Sequence, residues 1–191
     1  CNLQMAGRFV DATLSILVIW LMPGLAGCAT WRPPPLPADH VPVEYFSKSP
    51  VGVEATIGEM TASDGVRLAY TIYRRSEGLS GVVLIYLHGI ESHGGWFKGV
   101  AELLALAGYD VYCLDRRGSG INREPRGLRS GDIDHWRTWL SDVRDLRTRL
   151  AGQYRELHLI GLSWGGKQAV AYAISNPRDF ASLILVTPGI R

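Results

Sequence analysis

The sequence predicts an α/β fold, a mostly parallel sheet with helices on both faces. Three observations carry that reading. From Val82 onward, strand-like and helix-like stretches alternate, as βαβ units on a parallel sheet do. Residues 82–87 and 109–114 are almost continuously apolar, the pattern of strands buried on both faces. Residues 157–162 form a third apolar run that stops at Gly161-Leu162-Ser163-Trp164-Gly165-Gly166, with helix-forming residues 167–174 behind it. Strand, sharp turn and helix is the setting in which G-x-S-x-G makes a nucleophile elbow.

The chain's 191 residues suit one domain, and 47% hydrophobic residues are ample for a core. A net charge of +2 without a basic block gives no footing for a nucleic-acid partner. Cys1, Cys28 and Cys113 show no metal-ligand spacing, and Cys113 reads as a small buried hydrophobe within a strand.

The N-terminus reads as an address. With Met5 taken as the start, Arg8 supplies a short positive region and residues 14–22 an apolar one, too short for a transmembrane helix. Pro23 and Gly24 break it. Leu25-Ala26-Gly27-Cys28 then resembles the lipobox of bacterial lipoproteins. The resemblance implies a signal peptide over 1–27, cleavage before Cys28, and acyl chains on that cysteine's sulfur and new amine. Several such chains anchor a protein stably. Ala29 in place of Asp implies the outer membrane of the cell envelope. An ordinary signal peptide or uncleaved anchor with a chance cysteine is the alternative. The proline-dense residues 31–37 make 28–50 a semi-rigid tether.

The folded part, 51–191, follows in order. Residues 51–61 and 66–73 read as two strands joined by the turn Ser63-Asp64-Gly65, an antiparallel hairpin at a sheet edge. After the buried strand 82–87 comes a helix over 96–107, with Phe97, Val100, Ala101 and Leu104 at helical spacing and Gly108 at its end. The strand 109–114 leads to a polar segment over 115–131. A long helix is expected over 132–154, its stripe made of Trp136, Trp139, Leu140, Val143, Leu146 and Leu150. Its arginines at 137, 144, 147 and 149, with Asp142 and Asp145, suit a solvated face. The last apolar strand is 180–187.

A serine hydroxyl is a weak nucleophile until a base takes its proton, so Ser163 calls for a histidine and an acid. Gly161 and Gly165 leave room where the turn crowds itself. The loop His88-Gly89-Ile90-Glu91-Ser92-His93 follows the first buried strand, so it lies at the same sheet end as the elbow. The N–H groups of Ile90 and Trp164 are the candidate oxyanion donors.

With Leu87-His88-Gly89 and His93, Leu114-Asp115-Arg116-Arg117-Gly118-Ser119-Gly120, and the elbow in this order, the chain from Val51 on resembles the α/β-hydrolase family. It looks most like the branch of monoacylglycerol lipases and lysophospholipases. The resemblance implies Ser163 as nucleophile and Ile90 and Trp164 as oxyanion donors. It makes His88, Gly89, Gly161 and Gly165 supporting positions, His88 being structural and not the base. His88 and His93 are expected to pack loops. Residues 115–117 are expected to form a hydrogen-bonded loop. His135 and His158, on a helix and a strand, have no reason to meet Ser163.

The fold's order is serine, acid, histidine. After Ser163 the sequence holds only Asp179, at the wrong end of its strand, and no histidine. The expectation is therefore a C-terminally truncated product, lacking the acid and histidine and with the last strand's outer edge open. The function expected of the whole is a lipid-anchored serine hydrolase using no cofactor. It would cleave carboxylic esters of lysolipid or monoacylglycerol type through an acyl-serine. A non-catalytic envelope lipoprotein or pseudogene fragment, and a peptidase or amidase on the same fold, are the alternatives.

Overall fold

The computed structural model describes residues 15–19, 48–78, 80–123 and 135–189. Among the described residues seven strands form one sheet: β1 Ser15–Ile19, β2 Val53–Thr61, β3 Arg67–Arg75, β4 Val82–Leu87, β5 Asp110–Leu114, β6 Glu156–Leu162 and β7 Ser182–Val186, in the order β1-β7-β6-β4-β5-β3-β2. The pairings from β1 through β5 are parallel, and the β2–β3 hairpin joins antiparallel at the edge, as predicted.

Three α-helices of the described residues pack on the sheet: α1 Lys98–Leu106, α2 Trp136–Leu150 and α3 Trp164–Ser175. The all-apolar strand β4 explains why both faces are covered. Val83, Ile85 and Leu87 point into a core shared with Leu140, Val143 and Leu146 of α2 and Ala169 and Tyr172 of α3. Leu84 and Tyr86, alternating with them, point into a second core under Ala101 and Ala105 of α1. Phe97 stacks on Tyr86 with ring centroids 3.8 Å apart. Cys113 is a free, buried thiol in that second core, its pKa pushed up by burial.

Several boundaries moved. The helix expected from Trp96 begins with a 3-10 turn over Gly94–Phe97, because the His93 imidazole accepts the Gly95 N–H and caps a tighter turn first. The helix expected over 132–154 runs over Trp136–Leu150, capped by His135 (residues 132–134 lie outside the described set). The predicted solvated face holds at Arg137, Arg144 and Arg149, which are exposed, and is corrected at Asp142 and Arg147. Asp142 is buried, Arg147 pairs with Asp179, and the Arg149 Nε donates to the Tyr70 hydroxyl. Charge on a helix marks solvent only where no other element reaches it, and here the loop after β5, the loop before β7 and strand β3 do. Trp136, counted in the apolar stripe, is exposed.

Of the leader expected at the N-terminus, only residues 15–19 are described. They form β1, paired in parallel with β7 in the register Ser15 with Ser182 through Ile19 with Val186. The outer edge of β7, expected to be open, is therefore covered. Cys28 and the proline-rich tether lie outside the described residues. Among the described residues no helix is long and apolar enough to cross a membrane.

Candidate active site

The site forms at the carboxyl ends of β4, β5 and β6, where side chains leave the sheet together. Ser163 follows β6 directly, with φ 51° and ψ −115°, a conformation that a non-glycine residue adopts only under constraint. The constraint is visible. The Ser163 N–H donates to the Val186 carbonyl at the end of β7, and its own carbonyl accepts from Gly166 and Gly189. A β-carbon on Gly161 would lie 2.6 Å from the Gly165 oxygen. One on Gly165 would press into the Leu87 carbonyl and lie 2.6 Å from that of His88. The first turn of α3 thus sits hard against the end of β4, and only glycines fit. The hydroxyl stands at the N-terminus of α3, whose free N–H groups favour developing negative charge.

The loop after β4 comes to the same place. A β-carbon on Gly89 would lie 3.5 Å from Ser163 Cβ and 4.0 Å from its Oγ. Those are ordinary contacts, so the space around Gly89 does not by itself demand a glycine. Ile90 follows with its side chain exposed, and Glu91 has φ 51°.

His88 is fully buried. Its Nε2 accepts the Arg116 backbone N–H at 3.0 Å, so Nδ1 carries the proton and donates to the Gly89 carbonyl at 2.8 Å. Burial, then the nearby Arg116 charge, pulls its pKa down to about 3. It is a neutral strut. His93 caps the 3-10 turn, His135 caps α2, and His158 shares a hydrogen bond with Ser182 Oγ at 2.7 Å. Among the described residues no imidazole hydrogen-bonds the Ser163 hydroxyl. Asp179 accepts the Tyr172 hydroxyl and sits before β7, away from the site.

The loop after β5 holds the site's charge. Asp115 accepts N–H groups from Gly94 and Ile121, tying two loops together. Arg117 is gripped by Asp142 through Nε and Nη2 and by Asp64 through Nη1 and Nη2. Burial works against its charge, but the two carboxylates outweigh that and raise its pKa. Asp64, mainly through its hydrogen bonds to Arg117, is held below the usual carboxylate range. Arg116 is different. It is 6% exposed and lies against the rings of Trp164 and Trp139, 4.5 and 5.3 Å from their centroids, and its Nη2 donates to the Gly89 carbonyl at 2.6 Å. Burial lowers its pKa to about 10. Residue-level reading had placed Arg116 only in a hydrogen-bonded loop and Trp139 only in a helix stripe. The available signal was an arginine two residues beyond a buried strand, at the end of the sheet where ligands bind.

A family model described as serine aminopeptidase, S33, matches residues 80–191. A proline iminopeptidase of Lactiplantibacillus plantarum is 34% identical over 108 residues, which are 54% of this chain and 35% of that protein. The chain thus spans about a third of the length of that curated relative. Among solved structures, the α/β-hydrolase GrgF from Penicillium sp. sh18 is 26% identical with a TM-score of 0.61, over 71% of this chain and 46% of that one. A carboxyl esterase from Bacillus coagulans is 24% identical with a TM-score of 0.59, over 69% of this chain and 43% of that one, a likeness of fold alone. The expected fold is the one found. The expected lipase branch is not where these curated relatives lie, since they carry a peptidase name.

Proposed function

This chain belongs to the serine aminopeptidase, S33, family, and from that premise we propose that Ser163 is the nucleophile of an acyl-transfer hydrolase. The observation that carries this is the strained Ser163 backbone, φ 51° and ψ −115°, at a turn that only glycines can flank. Strain of this kind persists where the surrounding structure holds a side chain out for use.

In the proposed reaction the Ser163 oxygen attacks a carbonyl carbon and its proton passes to a base. The carbonyl oxygen becomes an anion held by the N–H groups of Ile90 and Trp164. Collapse expels the leaving group with that proton and leaves an acyl-Ser163, which water cleaves by the same route in reverse. His88, His93, His135 and His158 are all engaged elsewhere, so the base lies outside this set. The peptidase name of the curated relatives supports an amide substrate with a small N-terminal acyl group. An ester of the same acyl group passes through the same intermediate with a better leaving group and is expected to react as well.

The test uses the protein expressed from its complete reading frame. A fluorophosphonate probe should label Ser163, and Ser163→Ala should remove the label. Labelling that survives the substitution would refute the assignment, and absence of labelling would favour a binding scaffold. Prolyl p-nitroanilide set against p-nitrophenyl butyrate then separates a peptidase from the lipid-esterase reading.

For location we propose the lipobox reading, a lipid anchor on Cys28 in the bacterial envelope. Radiolabelled palmitate should enter the wild type and not Cys28→Ala. Equal labelling of both would end it.

A further inference from the structure

The Gly89 carbonyl and the Ile90 N–H belong to one peptide unit. The peptide bonds are trans, so the two groups point in opposite directions. Two donors hold that carbonyl: His88 Nδ1 at 2.8 Å and Arg116 Nη2 at 2.6 Å. Whatever fixes the carbonyl fixes the direction of the N–H. Arg116 is itself fixed, lying against two indole rings that meet edge to face with centroids 4.8 Å apart. Among the described residues no carboxylate lies within ion-pair distance of its guanidinium, and its Nε is buried without a hydrogen-bond partner. A buried cation without an ion pair among the described residues is costly, an expense that the nearby Asp115 charge offsets only in part, and the fold holds one a single peptide away from Ser163.

We propose that Arg116 is a positioning residue for the oxyanion site. It turns the Gly89–Ile90 peptide so that the N–H faces the Ser163 hydroxyl, and its charge, held in no ion pair among the described residues, polarises that N–H toward the developing anion. This rests on the reading of Ser163 as the nucleophile. The oxyanion site carries no negative charge in the ground state and gains one in the tetrahedral intermediate. The stabilisation is therefore larger in the transition state, which is the kind that raises kcat rather than lowering KM. His88 supplies the neutral half of the same clamp. Arg117 makes the contrast: its charge is already answered by Asp64 and Asp142, so it holds the loop and has none to spare.

The experiment compares wild type, Arg116→Gln and Arg116→Lys, each from the complete reading frame. The readouts are the rate constant for fluorophosphonate labelling of Ser163, kcat and KM on p-nitrophenyl butyrate, and the melting temperature. Arg116→Gln should label about 10-fold or more slowly and lose kcat by a like factor, with KM changed less than about two-fold. Arg116→Lys keeps the charge but cannot lie flat on both rings while reaching the Gly89 carbonyl, so it should show a partial loss. It also serves as the deciding variant if Arg116→Gln does not fold. A wild-type labelling rate in the folded variants would overturn the inference and leave a packing arginine. So would a rise in KM with kcat unchanged. Wild-type protein that does not label at Ser163 would instead sink the nucleophile reading, and this inference with it.

Discussion

The two loops that meet at Ser163 are held by different physics. The elbow is held by exclusion. Gly161 and Gly165 have no room for a β-carbon, and the backbones of β4, β6 and α3 press on one another. The loop over residues 88–90 is held by polar side chains. Arg116, from the loop after β5, and the loop's own His88 grip one carbonyl, while a β-carbon on Gly89 would make only ordinary contacts. Steric constraint tolerates no substitution but survives changes of pH. A polar clamp tolerates added atoms but depends on charge state and on the residues that anchor it.

The largest effect should come from the steric side. Gly165→Ala drives a β-carbon into the Leu87 and His88 carbonyls, so α3 or β4 must move, at a cost of about 3 kcal/mol or more. Chemical denaturation measures it, and an unchanged midpoint would show the contact to be soft.

Next is the anchor of the polar side. Asp142→Asn leaves the buried Arg117 guanidinium with Asp64 alone, which is partly exposed. A loss of about 2 kcal/mol is expected, below the full cost of orphaning a buried charge because Asp64 remains. Arg117→Met with Asp142→Leu should recover part of it. No recovery in the double variant would mean that the ion pair is worth more than its packing.

His88 should make stability pH-dependent. Its folded pKa of about 3 lies below the ordinary 6.5, so the unfolded chain takes up a proton first. Stability is therefore full above pH 6.5 and drains as pH falls toward 3, by at most about 1.4 kcal/mol per pH unit. Urea unfolding of wild type and His88→Asn at pH 7 and 5 reads the difference in slope. Parallel slopes would remove the neutral clamp from the account.

The smallest effect on folding belongs to Gly89→Ala. The new methyl meets Ser163 at ordinary contact distance, so stability should change by less than about 1 kcal/mol. It sits 4.0 Å from the hydroxyl, on the approach to it, so turnover should fall about 10-fold. A large loss of stability with normal turnover would reverse the contrast between the two loops.

This contrast also separates what is legible in the sequence from what is not. The elbow could be read because its constraint is local: glycines two residues either side of the serine answer crowding within one turn. Strands β4 and β5 could be read because burial on both faces leaves a continuous apolar run. Asp142 was misread as solvated, since nothing along α2 reveals that Arg117, 25 residues earlier, will reach it. Arg116 looked like any loop arginine for the same reason.

The sequence by itself determined the alternation of strands and helices, the two-faced core and the serine at the strand-to-helix turn. These follow from periodicity and backbone sterics within a few residues. Only the tertiary structure decided that β1 covers the edge of β7, that the described histidines are committed away from Ser163, and that Arg116 lies between two tryptophans against the Gly89 carbonyl. Those facts depend on which distant side chains meet when the loops after β4, β5 and β6 converge. An arginine's burial and partners are set by that meeting and leave no mark on its neighbours in the chain.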